Sequence, residues 1–95
     1  MQIPEKIGSL EIMLSAIIDE SCIHTSNCTH EIDGKVMGKA KWAAITKTDL
    51  QGYCYLFMCY SDNKLSDSAH ESVEEAKEQA EWEYEGITKN WQSAT

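Results

Sequence analysis

The sharpest pattern along the chain is residues 53–60, where both alternating sets of positions are apolar. Tyr53, Tyr55, Phe57 and Cys59 form one set, and Cys54, Leu56, Met58 and Tyr60 the other. This predicts a central strand covered on both faces. Residues 36–48 predict another strand, carrying Trp42 and Ile45. Residues 61–64, Ser-Asp-Asn-Lys, predict a hairpin turn into a short strand near Leu65. Residues 7–18 fit two patterns. Leu10, Ile12, Leu14, Ala16 and Ile18 alternate as in a strand, whereas Ile7, Leu10, Leu14 and Ile17 also fit one helix stripe. Gly8 and the β-branched content favour the strand. Residues 19–34 are polar and read as an irregular excursion, with a turn at Asp33-Gly34, and residues 49–52 read as a second turn.

A helix follows. Ser68 or Ser72 can cap it, and Ser72 has Glu75 three residues on, the capping-box spacing. Gly86 is the expected stop. At 100° per residue, Val73, Ala76, Ala80, Tyr84 and Ile87 share the core side. Glu71, Glu74, Glu75, Glu78, Trp82 and Glu85 lie opposite. These elements predict an α+β fold in one domain, residues 1–95. It consists of an antiparallel sheet of about three to five strands with one C-terminal amphipathic helix packed on it.

Charge adds direction to this picture. The 95 residues carry a net −8, with eight lysines and no arginine. Residues 67–85 hold eight acids against one lysine, a net of −7. The remaining eight acids meet seven lysines. Nearly all the net charge thus belongs to the helix region. Arginine is the usual fork for phosphate and guanine. Its absence and the acidic balance exclude nucleic acid and an anionic membrane surface as expected partners. The longest apolar stretch falls well short of the roughly 20 residues of a membrane span. The first residues lack a basic, apolar secretory start, so a cytoplasmic location is expected. Four cysteines in that setting predict free thiols rather than disulfides.

Three sets of residues carry candidate chemistry. The acidic helix face with Trp82 at its middle suits a protein partner: carboxylates steer a basic surface, and an aromatic supplies an anchor. The bland alternative is a solvated face whose indole folds back on a neighbouring element. Cys22, His24, Cys28 and His30 place four zinc-type ligands within nine residues, though not at familiar spacings, and would make the chain a small zinc-binding or redox regulatory module; a polar loop with scattered Cys and His, or a Cys22–Cys28 disulfide, is the plain alternative. Cys59 and His70 admit a nucleophile–base pair in principle, but the neighbours of Cys59 suggest packing, and His70 suits a structural or capping role. No phosphate loop is present. The expectation is a non-catalytic protein without a cofactor or bound metal. Tyr53, Tyr55 and Phe57 read as packing rather than as a base-stacking platform.

The run Gly52-Tyr53-Cys54-Tyr55-Leu56-Phe57, then Ser61-Asp62, then the helix His70-Glu71-Ser72-Val73-Glu74-Glu75-Ala76-Lys77-Glu78-Gln79-Ala80-Glu81-Trp82-Glu83-Tyr84, with Trp91 after it, is similar to small bacterial proteins that carry such a helix after a β-hairpin. In size, charge and architecture the chain also resembles immunity proteins of contact-dependent growth inhibition and other polymorphic toxin systems. The resemblance implies a tight complex with a toxin domain, commonly a basic nuclease whose site an acidic protein would cover. Self-association through the Trp82 face is the alternative partner arrangement.

Overall fold

The computed structural model describes residues 3–47 and 52–93. The run at residues 53–60 forms the centre of the fold. In chain order the strands are β1 (Lys6–Ile7), β2 (Leu10–Ile17), β3 (Ile23–His24), β4 (Glu31–Ile32), β5 (Lys35–Val36), β6 (Trp42–Lys47), β7 (Cys54–Cys59) and β8 (Leu65–His70). The helix α1 (Val73–Glu83) follows, then β9 (Tyr84–Glu85) and β10 (Gln92–Ser93). The main antiparallel sheet runs β1-β2-β6-β7-β8, and β10 also pairs with β2. β7 pairs along its whole length with β6 on one side and β8 on the other.

α1 packs on one face of this sheet. Cys54, Leu56, Met58 and Tyr60 point towards it, as the alternation predicts, and meet Ala43, Ile45, Ala76, Ala80, Tyr84 and Ile87 in one buried cluster. Ala76 and Ala80 are fully enclosed; their small side chains let the helix come close. On the other face Ile12, Trp42, Ala44 and Cys59 form a second cluster, covered in part by Ile3 and Ile7. The predicted two-sided covering of β7 is therefore supplied by a helix and by the N-terminal segment. No helix among the described residues is long and apolar enough to cross a membrane.

Of residues 7–18, Leu10–Ile17 form the strand β2, with Gly8 and Ser9 turning the chain between it and β1, and β2 has a feature the alternation does not reveal. The register of β2 against β6 shifts between Ile12 and Leu14. This β-bulge at Met13 turns the strand by one side-chain step. Ile12 serves the N-terminal face, while Leu14 and Ala16 serve the helix face. One strand thus feeds both cores.

Other expectations shift in detail. The strand predicted over residues 36–48 begins at Trp42, with Val36 in the separate β4–β5 hairpin. Asp33 and Gly34 both take positive φ at that hairpin's turn, as the Asp-Gly signal predicts. Thr48 and most of the turn predicted at residues 49–52 lie outside the described residues. The short strand near Leu65 is a six-residue edge strand, β8, which includes Ser68 and leaves Ser72 as the helix cap. The Ser72 hydroxyl accepts from the Glu75 N–H at 3.1 Å. β8 is alternately exposed and polar, as suits an edge that must not pair with other chains. The helix ends at Glu83, earlier than Gly86 suggests, because Tyr84 and Glu85 turn into β9 to pair with β3. Gly86 sits at φ 98°, and a Cβ there would meet the Ser21 carbonyl oxygen at 2.7 Å. The position needs glycine on both counts.

Candidate functional site

α1 presents two different sides at its C-terminal half. On the solvent side Glu74, Glu78 and Trp82 recur every four residues, with Glu75 alongside, so they share one face. All four are exposed, and the indole of Trp82 is 50% exposed. Glu71 precedes the helix and Glu85 lies beyond it in β9; both are exposed. The backbone beneath the indole is fixed: the Trp82 carbonyl accepts from the Thr25 hydroxyl at 2.6 Å and from the Asn27 side-chain amide at 2.9 Å. The loop after β3 thus satisfies carbonyls that the helix end leaves open, while half of the Trp82 side chain stays exposed to solvent.

Not every acid of this region belongs to the surface. Glu81 bends back to accept from the Gly86 N–H at 2.8 Å, the Thr88 N–H at 3.1 Å and the Thr88 hydroxyl at 2.6 Å. Burial resists its ionisation, but these hydrogen bonds, with Lys89 nearby, outweigh it and hold the carboxyl below its ordinary value. Glu83 is 4% exposed and faces inward. Asp67, Glu71, Glu74, Glu75, Glu78 and Glu85 remain exposed. Glu75 also lies 3.6 Å from His70 Nδ1.

Inside, Glu83 meets the polar loop. Its Oε1 lies 2.6 Å from His30 Nε2, and its Oε2 accepts from the Gln79 side-chain amide at 2.9 Å. The Cys28 Sγ lies 3.7 Å from the same His30 nitrogen. The three donor atoms of Cys28, His30 and Glu83 all lie within 4.8 Å of one another, the one such group among the described residues. The rings of Tyr60 and His30 are 5.9 Å apart. Burial pushes the Tyr60 phenol strongly up, and burial together with the Glu83 carboxylate raises the Cys28 thiol.

Of the four candidate ligands at residues 22–30, only Cys28 and His30 come together. Cys22 is buried on the other side of the loop, with its Sγ 3.3 Å from the Asn90 amide. The His24 ring stacks on Tyr84 at 5.0 Å. Glu83, the third member, escapes a reading by local spacing because it is 53 positions from His30. A signal for it exists: at 100° per residue it falls on the side of Ala76 and Ala80, where a carboxylate needs a partner. Cys59 and His70 do not form a pair. His70 lies opposite Cys54 in the sheet, while Cys59 lies opposite Leu65 at the other end of β7. His70 instead bonds the Ser68 hydroxyl at 2.7 Å, beside the helix start. All four cysteines are free thiols.

Comparison with protein-family models, with curated proteins and with solved structures finds no match to this chain.

Proposed function

We propose that the chain is a non-catalytic binding protein of the immunity type, which docks the basic domain of a partner protein, such as a toxin nuclease, on the solvent face of α1. The observation that carries this reading is Trp82, half-exposed at the C-terminal end of the row that Glu74, Glu75 and Glu78 form, on a helix whose other side is packed against the sheet; the indole thus ends the acidic row instead of standing at its middle. A large ring half-exposed on a fixed backbone position still has apolar area to bury on contact. The carboxylates around it attract lysines and arginines and raise the rate of encounter. The chain has no arginine of its own to meet them. A second copy is the poorer occupant, because two such faces carry like charge and repel.

The test is copurification with the product of the adjacent gene, followed by binding kinetics. Replacing Glu74, Glu75 and Glu78 together by lysine is expected to slow association by about tenfold or more at low salt and to flatten its salt dependence. Trp82→Ala is expected to act on dissociation instead, weakening the complex by about 2 kcal/mol. A triple variant that binds and protects cells like the parent would remove α1 as the interface.

A further inference from the structure

We propose that Cys28, His30 and Glu83 form a binding site for a divalent transition-metal ion of the zinc type, with its fourth position left to water. The donor set suits such an ion: one thiolate, one imidazole and one carboxylate are all ordinary zinc ligands. The three donor atoms lie within 4.8 Å of one another, so side-chain rotations alone would bring them round one tetrahedral centre. From ordinary zinc–ligand lengths, a sulfur and a nitrogen bound to one ion lie about 3.6 Å apart, and a nitrogen and an oxygen about 3.3 Å. Cys28 Sγ and His30 Nε2 are already 3.7 Å apart. His30 Nε2 and Glu83 Oε1, at 2.6 Å, need only a small side-chain rotation to separate.

The surroundings are those of a supported site. The Gln79 amide holds Glu83 Oε2, which leaves Oε1 for the ion, the outer-shell arrangement common to metal-binding carboxylates. The loop that bears Cys28 is tied to the end of α1 by the Thr25 N–H, which donates to the Glu83 carbonyl at 3.0 Å, and by the Thr25 and Asn27 side chains. His30 is held from the other side, where its carbonyl accepts from the Met37 N–H at 2.8 Å. Glu83 is the last residue of α1, where the negative end of the helix dipole favours a cation. Cys28 and His30 are partly exposed, which provides a way in. Binding displaces the thiol proton of Cys28 and any proton shared by His30 and Glu83 to solvent, and forms three metal–ligand bonds with no change of oxidation state.

This site does not depend on the docking reading, because Glu83 faces the core while Trp82 faces solvent. The experiment uses the full chain without an affinity tag, stripped with a chelator and titrated with Co²⁺ and then with Zn²⁺. One Co²⁺ per chain is expected, with the ultraviolet charge-transfer absorption of a cobalt–thiolate bond, displaced by Zn²⁺. Cys28→Ser should abolish that absorption and weaken Zn²⁺ binding by more than about 100-fold, beyond the usual effect of an outer-shell change. Glu83→Gln should keep the absorption but bind at least about tenfold more weakly. His24→Ala should bind like the parent, as should the triple lysine variant of the acidic face. In the unmutated protein Zn²⁺ should also protect Cys28 from alkylation, a readout that requires no variant to fold. The proposal is overturned if folded protein shows no thiolate absorption with Co²⁺ in excess, if the absorption survives Cys28→Ser, or if Zn²⁺ leaves Cys28 alkylation unchanged.

Discussion

Thr46 lies on β6 on the side of Trp42 and Ala44, fully enclosed, and its hydroxyl has no hydrogen-bond partner among the described residues. A buried hydroxyl without a partner costs about 1–3 kcal/mol, whereas valine has nearly the same shape and no polar atom to satisfy. Thr46→Val is therefore expected to stabilise the fold by about 1 kcal/mol, read as a higher urea midpoint at an unchanged slope. A lower midpoint would mean that the hydroxyl is satisfied after all. The indole N–H of Trp91 is also buried without a partner among the described residues. Glu83 is the opposite case, a buried carboxylate with two partners, His30 and Gln79. The sequence pattern separates these cases poorly. Burial of Thr46 follows from alternation, but whether a buried polar atom finds a partner depends on residues far along the chain.

At the scale of elements, α1 was the most legible part. The Ser72 cap, the alanine side and the exposed glutamates with Trp82 all follow from helical spacing. Its end was less so. Gly86 is the expected stop, but Tyr84 and Glu85 leave the helix before it to form β9, and a two-residue ladder leaves no periodic trace; beyond them the Gly86 N–H and Thr88 donate to the Glu81 carboxylate. The folded pKa of Glu81 lies below the ordinary 4.5. Folding thus favours its ionised form, and that contribution is complete above the unfolded value and lost as pH falls through the lower folded value. Glu81→Gln is expected to cost about 1 kcal/mol at pH 7, a modest figure because solvent screens the site. The difference from the parent should shrink as the pH is lowered from about 5 towards 3. A pH-independent difference in a urea series would assign the effect to packing instead. β2 was legible as a strand, but not its bulge, since Leu10, Ile12 and Leu14 alternate without a break while the fold sends Ile12 and Leu14 to different cores.

Across the whole molecule, the α+β architecture follows from the sequence: the apolar run at β7 requires cover on both faces, and the one strongly amphipathic segment supplies one of them. What sequence spacing did not convey is how the polar segment over residues 19–34 closes against the far end of the chain. Thr25 bonds the Trp82 carbonyl across 57 positions, and β3 and β9 add only two residue pairs. The ties to the helix end are side-chain hydrogen bonds and a short ladder rather than a long strand pairing, and closing such a loop is entropically costly. This tie has a kinetic consequence: it should open and reclose many times while the sheet stays intact. The Thr25 amide should then exchange with solvent deuterium well before that of Leu56 at the centre of β7, and a protease should cut first near residues 25–29. Equal protection of the two amides would mean that the tie breaks only when the entire fold does. If the tie opens alone, Cys28 and the flank of Trp82 are exposed together in a state that no static picture displays, so whatever binds at either place also sets how long the loop stays shut.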